Sequence, residues 1–344
     1  MTHRVTLKPS GHQYDVQEGN NVLQAGLDAG FMLPYSCRSG VCRTCRGTIL
    51  EGKVDYGMVH ANYLSDGDKA KGYALLCQAK PLSELVVEVR EVEGVRPRII
   101  PCRVERLDKP APDVAVIGLR LPMNENFRFL AGQYIDLLLK DGKRRSYSLA
   151  TRPDPGGVTA LEIHVRHTPG GLFTDHVFAK LKVRDLLRFE GPLGSFYLRE
   201  DSDKPIVMVA SGTGFAPIKA ICEYAFEKKV SRPMTLYWGC RAKRDLYTLE
   251  VPAKWQYPGF KFVPVLSDPT PECEWTGRTG FVHRAVMEDF ADMSGVQVYA
   301  CGAPVVIEAA RRDFAAQCGL PADEFYADSF LTEADKAPVA LAAS

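Results

Sequence analysis

Three cysteines lie close together near the start of the sequence, Cys37, Cys42 and Cys45, in the spacing C-x4-C-x2-C, and a fourth, Cys77, follows later. Four thiolates in this pattern are the ligand set of a 2Fe–2S cluster, which takes up and releases one electron at a time. Gly40 lies inside the loop and can adopt the positive φ that a tightly wrapped backbone requires. The pattern therefore predicts an iron–sulfur site held by these four cysteines.

A structural zinc site is the alternative for the same cysteines. Such sites commonly use two close pairs, for example two C-x2-C units, whereas here three cysteines are clustered and one is remote. The order of the flanking elements predicts a small β-grasp domain over residues 1–92. These elements are a hairpin at 4–16, a helix at 22–29 that Asn20 or Asn21 can cap, and strands at 48–54 and 85–89.

A second domain is predicted over residues 102–200, after a linker at 93–101 that two prolines and a glycine mark. Asp141 and Gly142 predict a hairpin turn, and several short strands with close turns predict an antiparallel β-barrel. The strands are expected at residues 114–121, 134–139, 161–165 and 186–189.

Two stretches of this barrel could bind a flavin nucleotide. Arg145 suits a diphosphate because its planar fork bonds two oxygens at once. Tyr147 would point to the same side of the strand and offer a flat ring to a flavin, and Ser148 adds a hydroxyl nearby. The second stretch is a glycine turn before a helix at 174–181, which makes an anion site from free N–H groups and the helix dipole. Its residues are Gly170, Gly171 and Thr174.

Residues 201–333 predict a doubly wound domain with a parallel sheet and helices on both faces. Strands are expected at 206–210, 234–238, 262–266 and 297–300. The first strand leads into a glycine turn and a helix, an arrangement that binds phosphates; the candidate residues are Gly212, Thr213, Gly214 and Pro217. Because ligands bind at the carboxyl ends of such strands, Cys301 and Gly302, before a helix at 305–317, should face the nicotinamide of NAD(P)H.

The motifs resemble known families. Residues 1–92 resemble plant-type ferredoxins, except that Arg43 stands where that family often has a small residue. The R-x-Y-S and glycine stretches resemble the flavin domain of the ferredoxin–NADP reductase superfamily, and Y-x-C-G-x-P at 299–304 resembles its pyridine-nucleotide domain. The chain as a whole resembles reductase components of multicomponent (Rieske-type) oxygenases. On residues 131–134, 191–194 and 275–283 it resembles the reductases of CDP-6-deoxy-3,4-glucoseen formation more closely.

The resemblance implies further roles. It favours FAD over FMN, and it implies that Ser148 lies near the flavin and that Cys301 lies beside C4 of the nicotinamide. Arg166 would flank the ribityl and diphosphate chain, although strand alternation alone predicts that His164 and Arg166 are surface residues. Phe330 would cover the flavin face, although Tyr326 in that role or core packing alone could also account for this stretch. The resemblance favours NADH as the electron donor. The residues leave NADPH open, because Arg241 or Arg244 could hold a 2′-phosphate, whereas Asp245 could hold a ribose hydroxyl.

Composition limits the other possibilities. The net charge of +1 argues against nucleic acid as a general partner. Apolar runs long enough for a membrane span are absent from the sequence, and its start lacks a signal-peptide core. With ten cysteines and no signal, we expect a reducing cytoplasm, in which the six cysteines outside the cluster set are free thiols. We also expect a monomer. The six are Cys102, Cys222, Cys240, Cys273, Cys301 and Cys318. Residues 334–344 are expected to form a loose tail.

These features predict a reductase that passes electrons from NAD(P)H through FAD and a 2Fe–2S cluster to a partner protein. The expected partner is the oxygenase component of an aromatic-ring-hydroxylating or related system. The alternatives are a sugar-nucleotide dehydratase as the partner, or a stand-alone NADH dehydrogenase or diaphorase. Arg38, Arg43 and Arg46 crowd one rim of the cysteine loop and are either solvated side chains or a docking face for an acidic protein.

Overall fold

The structure is a computed structural model that describes residues 1–92 and 95–331. The described residues separate into two compact units, one with residues 1–92, 95–96 and 328–331, the other with Pro97–Ala327. The predicted tail at 334–344 and two residues of the predicted linker, Glu93 and Gly94, lie outside the described residues. Within the described part, no helix has both the length and the apolar character that crossing a membrane requires.

The first unit is the predicted β-grasp domain. Its main sheet has the order β2-β1-β7-β3-β5, in which β1 and β7 run parallel and the other neighbours antiparallel. A separate pair, β4 with β6, lies outside this sheet. The elements are β1 (Thr2–Lys8), β2 (Gln13–Gln17), α1 (Val22–Asp28), β3 (Arg46–Glu51), β4 (Val54–Asp55), α2 (Asp66–Ala70), β5 (Tyr73–Leu75), β6 (Lys80–Pro81) and β7 (Leu85–Glu88).

Local sequence explains this unit well. Val5 and Leu7 alternate with more exposed neighbours along β1, so that one face of the strand is buried. Helix α1 begins where predicted, because the side chain of Asn21 accepts a hydrogen bond from the Gln24 amide at 2.7 Å. The cysteine loop lies between α1 and β3, and Cys77 follows β5.

The second unit begins with the predicted antiparallel barrel. Its strands are ordered β11-β10-β13-β8-β9-β12, and a bridge between Leu149 and Ile163 joins the two ends of the sheet. The core is apolar and includes Phe127, Ile117 and Phe189. The elements are β8 (Arg98–Ala111), β9 (Val114–Arg120), β10 (Tyr134–Leu138), β11 (Arg144–Ser148), β12 (Ala160–Arg166), α3 (Leu172–Ala179) and β13 (Leu186–Leu193).

The barrel starts earlier than predicted. Residues 98–101 were predicted as linker because of their prolines, but they form the start of β8 and pair with β13. Ile100 lies opposite Phe189 and is buried, as are Cys102 and Val104 at the next alternate positions. This alternation outweighs the boundary signal, because Pro101 lies on the exposed face of β8 and leaves the buried face uninterrupted.

The rest of the second unit is the predicted doubly wound domain, with sheet order β17-β16-β15-β14-β18-β19. Strand β14 pairs in parallel with both β15 and β18. The elements are β14 (Ile206–Ser211), α4 (Phe215–Glu227), β15 (Met234–Cys240), α5 (Glu250–Ala253), β16 (Phe260–Leu266), β17 (Arg278–Thr279), α6 (Val282–Asp289), β18 (Gln297–Gly302), α7 (Pro304–Cys318) and β19 (Phe325–Ser329). The chain moves outward from β14 to β17 and then returns to β18, so the topological switch point, where ligands bind in such sheets, lies between β14 and β18.

Candidate functional site

The four predicted cluster cysteines come together as two pairs. The thiols of Cys37 and Cys42 contact each other, as do those of Cys45 and Cys77. The Cys37 sulfur also accepts hydrogen bonds from the amides of Ser39 and Cys42, both at 3.4 Å. Three of the four cysteines are buried, and Cys37 is partly exposed. The loop and Cys77 after β5 therefore bring the four sulfurs together, and the loop points backbone N–H groups at the Cys37 sulfur.

The paired arrangement fits a two-iron cluster. A 2Fe–2S cluster takes two thiolates on each iron, and the two cysteine pairs supply that number. Hydrogen bonds from the Cys42 thiol and from Ser39 lower the pKa of Cys37 to about 5, which favours the thiolate that binds metal. The donor set therefore favours the iron–sulfur prediction over a mononuclear zinc site.

Gly40 has the conformation that the loop was predicted to need. Its φ is +80°, and a Cβ at this position would lie 2.9 Å from Cγ of Gln78. The residue is therefore glycine for two reasons, backbone conformation and close packing against the residue that follows Cys77.

The predicted flavin motif lies on β11. Arg145 and Tyr147 are half-buried on one face of the strand, while Ser146 between them is exposed. The Tyr147 ring packs 5.4 Å from that of Phe173 at the start of α3, and burial raises the pKa of its hydroxyl. Ser148 is buried at 6% exposure. Tyr147 thus brings the two predicted flavin stretches together, through a contact that the sequence did not reveal.

The glycine turn before α3 partly fits an anion site. Helix α3 begins after Gly171 and has no side chain capping its N-terminus, which leaves helical N–H groups for a ligand. Gly170 has φ +80°, but its amide donates to the Asp175 carboxylate at 3.1 Å. The Thr174 hydroxyl donates to the carbonyl of Thr168 at 2.8 Å. Gly170 and Thr174 therefore shape the turn, and Asp175 is a partner that sequence reasoning missed.

Arg166 is the predicted residue with the clearest capacity for an anion. Nη1 lies 3.3 Å from the Asp113 carboxylate, while Nε and Nη2 are buried and have no hydrogen-bond partner. These nitrogens face the glycine turn of the nucleotide domain, because a Cβ on Gly212 would lie 3.6–3.8 Å from them. Buried donors without partners are costly, so this guanidinium fits a diphosphate that supplies the missing acceptors.

The glycine turn of the nucleotide domain packs directly on the end of β18. A short 3-10 turn, Gly212–Gly214, leads into α4, where Pro217 is buried. A Cβ on Gly214 would overlap the carbonyl oxygen of Cys301, and one on Gly302 would overlap that of Ser211. Glycine is thus required at both positions so that the two strand ends can meet at the switch point.

The other residues predicted for the nucleotide site differ in how deeply they are buried. Cys301 is fully buried at the end of β18, and Thr213 is 8% exposed in the glycine turn. By contrast, the side chain of Arg241 is 85% exposed and lies 3.9 Å from the Asp268 carboxylate. Phe330 follows β19 and is half-buried; its role over the flavin stays a prediction.

The predicted surface position of His164 is wrong. Strand alternation placed it on the barrel surface, but it is buried at 6% exposure and bonds to the Tyr247 hydroxyl at 2.7 Å. The reason is that this end of β12 is covered by the nucleotide domain, which a period-2 pattern within one strand cannot indicate.

Comparisons with known proteins agree with the three-domain arrangement. A model of the 2Fe–2S iron–sulfur cluster binding domain matches residues 5–82. A model of the oxidoreductase FAD-binding domain matches residues 101–197, and one of the oxidoreductase NAD-binding domain matches residues 208–312. The three cofactors implied by the sequence are therefore FAD, NAD and the iron–sulfur cluster, each assigned to its own segment.

Relatives of similar length cover nearly the whole chain. The CDP-6-deoxy-L-threo-D-glycero-4-hexulose-3-dehydrase reductase of Yersinia pseudotuberculosis is 39% identical over 96% of this chain and 99% of its own. Reductase component 2 of terephthalate 1,2-dioxygenase from Comamonas sp. is 35% identical over 96% and 98%.

The crystal structure of the Amycolatopsis cytochrome P450 reductase GcoB has a TM-score of 0.75 and 35% identity, covering 95% of this chain and 98% of that one. Similarity of this extent involves the order of the domains as well as each domain's fold. The chain therefore belongs to the ferredoxin-fused reductases of the ferredoxin–NADP reductase superfamily, and it is an NAD(P)H-dependent flavin and iron–sulfur oxidoreductase.

Proposed function

We propose that this chain is the reductase of a multicomponent oxygenase and delivers single electrons to its oxygenase component. The observation that carries the proposal is the two pairs of cluster cysteines on the same chain as the FAD and NAD domains. When bound, FAD accepts a hydride and returns electrons singly, and the cluster carries one electron at a time. A chain that only oxidised NADH with a small acceptor would not need the cluster.

Protein residues would bind and orient the cofactors. Arg145 and Arg166 would hold the FAD diphosphate, Tyr147 would pack on the flavin, and Ser148 would place a hydroxyl near it. The turn at Gly212–Gly214 would take the nucleotide diphosphate, and Cys301 with Gly302 would hold the nicotinamide at the end of β18. The supporting observations are the partnerless nitrogens of Arg166 and the close packing of the glycine turn on β18.

NADH is the proposed electron donor. Two acidic residues near the expected adenosine end of the nucleotide offset part of the positive charge that Arg241, Lys243 and Arg244 supply. The exposed Arg241 lies close to the Asp268 carboxylate. The Asp245 carboxylate accepts a hydrogen bond from the Ala242 amide at 3.1 Å and adds negative charge in the same turn. A 2′-phosphate would meet these carboxylates, whereas a ribose hydroxyl could donate to one of them.

A sugar-nucleotide dehydrase is a second candidate partner. The observation that favours it is the 39% identity to a hexulose dehydrase reductase over almost the full length of both chains. The two candidates share the same internal electron path and differ only in the acceptor.

The decisive experiment is anaerobic electron transfer with purified proteins. The loaded chain is mixed with NADH and either an aromatic-ring-hydroxylating oxygenase component or a hexulose dehydrase from the same organism. We expect catalytic amounts of the chain to bleach the oxygenase's visible absorption. Reduction of the dehydrase alone would favour the second candidate. Reduction of cytochrome c and quinones, with neither protein reduced, would identify a stand-alone dehydrogenase.

Three arginines at the rim of the cysteine loop are held in place by local contacts. The guanidinium of Arg38 lies 4.5 Å from the Tyr35 ring centroid, and that of Arg46 lies 4.5 Å from the Tyr73 centroid. Such stacking restricts the side chains before any partner binds, which reduces the entropy lost on docking. We propose that this arginine rim, Arg38, Arg43 and Arg46, meets acidic residues around the acceptor's redox centre.

Arg43 has an unusual backbone for its residue type. Its φ is +64°, in the left-handed region that favours glycine, and its side chain lies 3.5 Å from the Asp68 carboxylate. Left-handed geometry costs a non-glycine residue about 1 kcal/mol. A strained arginine beside a cluster is consistent with a role in binding, since strain persists where function requires it.

Replacing Arg43 with glycine tests the rim. The cluster, its iron content and cytochrome c reduction should be unchanged, because Arg43 is not a ligand and glycine suits the backbone. Transfer to the native acceptor at low salt should fall about fivefold and lose much of its salt dependence. Stopped-flow measurement over a range of ionic strengths records both effects.

Arg184 provides a matched control. It is an exposed arginine in the barrel with φ +80°, so Arg184→Gly removes the same charge and relieves the same kind of backbone strain. It should leave acceptor reduction unaltered at every salt concentration. Equal behaviour of the two variants would eliminate the docking role of Arg43.

A further inference from the structure

A buried hydrogen-bonded chain connects the flavin barrel to the nucleotide domain. His164, on β12 of the barrel, bonds through Nδ1 to the Tyr247 hydroxyl at 2.7 Å and through Nε2 to the Glu162 carboxylate at 3.0 Å. Tyr247 lies in the segment after β15 of the nucleotide domain and is buried at 7% exposure. The imidazole therefore joins residues from the two domains of this unit.

The direction of each hydrogen bond follows from the charges. The Glu162 carboxylate can only accept, so His164 Nε2 carries the proton and donates to it. His164 Nδ1 is then the acceptor for the Tyr247 O–H. This neutral tautomer agrees with burial, which lowers the pKa of His164. Both ring nitrogens of His164 thus have a hydrogen-bond partner, Glu162 in the barrel and Tyr247 in the nucleotide domain.

Glu162 extends the chain to the first helix of the nucleotide domain. Its carboxylate lies 3.4 Å from Nζ of Lys219 on α4 and 2.6 Å from the Arg106 guanidinium on β8. Lys219 also donates to the carbonyl of Ala150, in the barrel, at 3.0 Å. Helix α4 is the one that the glycine turn leads into, so this second contact also ties a nucleotide-binding element to the barrel.

Tyr247 is in turn connected to the glycine turn. Its ring lies edge-on to that of Trp238, with 5.3 Å between the centroids. The Trp238 Nε1–H donates to the carbonyl of Gly212 at 2.9 Å, and the Trp238 ring stacks on Phe215 at 4.1 Å. One aromatic side chain therefore separates the Tyr247–His164 bond from the turn that is expected to hold the nucleotide diphosphate.

We propose that the Tyr247–His164–Glu162 chain is a positioning device that fixes the nucleotide-binding turn on the flavin barrel, so that the nicotinamide is held in register for hydride transfer. The inference concerns only the NAD(P)H half-reaction and does not depend on which protein accepts the electrons. A packing role alone would be met by apolar side chains of similar volume, whereas a fully satisfied polar chain permits one relative placement of its members. Hydride transfer needs such a placement, since small displacements of reacting groups slow it strongly.

Tyr247→Phe is the direct test, because it removes one oxygen atom and leaves the ring packing in place. FAD content and iron content should not change. We expect the affinity for NAD⁺, measured by calorimetry, to fall about threefold, and reduction of the bound flavin by NADH to slow about tenfold. Hydrogen exchange should quicken over residues 241–249. Unchanged NAD⁺ affinity, exchange and reduction rate would overturn the proposal.

Tyr257→Phe is the matched control. Its hydroxyl donates to the carbonyl of Val230 at 2.9 Å, a bond made entirely inside the nucleotide domain. This variant loses one tyrosine hydroxyl bond without affecting the connection to the barrel. It should retain the parent's NAD⁺ affinity and flavin reduction rate. If both variants lose the same amount, general destabilisation explains the effect and the positioning role is rejected.

The pH profile separates positioning from packing. The groups that face His164 are Glu162 on its own strand, Tyr247 after β15, Lys219 on α4 and Arg106 on β8. Burial holds the pKa of His164 below the usual value for histidine. When the pH falls through this lowered pKa, Nδ1 gains a proton and can no longer accept a hydrogen bond from Tyr247. Flavin reduction in the parent should therefore decline at acid pH. The decline should be shallower in Tyr247→Phe, and an identical decline would contradict the proposal.

Discussion

Replacing Cys77 with alanine should disconnect NADH oxidation from electron delivery. We expect the variant to keep FAD and to reduce ferricyanide with NADH at the parent rate, but to lose the cluster and slow reduction of the acceptor protein by about 100-fold or more, equivalent to about 2.7 kcal/mol. The reason is that Cys77 is one of only two thiols in its pair, with Cys45, and one thiolate is too few for its iron. Iron and sulfide analysis, with the two activities, measures the outcome.

Cys102→Ala is the matched control. Cys102 is a buried free cysteine of the barrel, and burial raises its pKa to about 12, so it remains a thiol. Removing its sulfur should cost about 1 kcal/mol of stability as a small cavity, with iron content and acceptor reduction intact. A Cys77→Ala protein that kept its full iron content would show that the ligand set is wrongly assigned.

The sequence was informative where chemistry depends on neighbours along the chain. The glycine turn before α4 and the apolar strand predicted at residues 206–210 each lie within one short stretch, and both are found where predicted. Glycine at 212, 214 and 302 could be recognised as part of a nucleotide motif. The sequence did not show that Gly214 packs on the Cys301 carbonyl, because that contact joins two distant strands.

The parts that were missed depend on how the barrel meets the nucleotide domain. His164 and Tyr247 are separated by 83 positions in sequence, and neither lies in a motif. Strand alternation gave the wrong environment for His164 because it describes one sheet by itself. The linker predicted at residues 98–101 is wrong for a related reason, because these residues pair with β13, which is distant in the sequence. Non-local contacts decide both cases.

Arg43 could be predicted only in part from the sequence. The residue type was visible as a departure from the plant-type ferredoxin pattern, but its left-handed backbone and its contact with Asp68 were not. A glycine at this position would satisfy the loop without strain. The contact with Asp68 and the proposed contact with the acceptor protein are the two roles that arginine could fill at this position.

Replacing Gly214 with alanine should impair reduction of the flavin by NADH and spare the cluster, whereas Cys77→Ala should do the reverse. The new methyl group would overlap the Cys301 carbonyl oxygen and lie 2.8 Å from Cα of Gly302. Both obstacles are backbone atoms, so the turn must move away from the end of β18. We expect reduction of the bound flavin by NADH to fall about 100-fold, with a loss of about 1–3 kcal/mol in stability. The cluster should be retained and still be reducible by dithionite.

Gly295→Ala is the control for adding a methyl group to the same domain. A Cβ at Gly295 would have no heavy atom within 4 Å, so this variant should keep both its stability and its rate of flavin reduction. Comparing NAD⁺ affinity in the two variants then locates the defect. If Gly214→Ala binds NAD⁺ and reduces flavin as the parent does, the close contact between the glycine turn and β18 is not needed for the nucleotide site. A selective loss in Gly214→Ala would place the nicotinamide end of the site where those two strand ends meet.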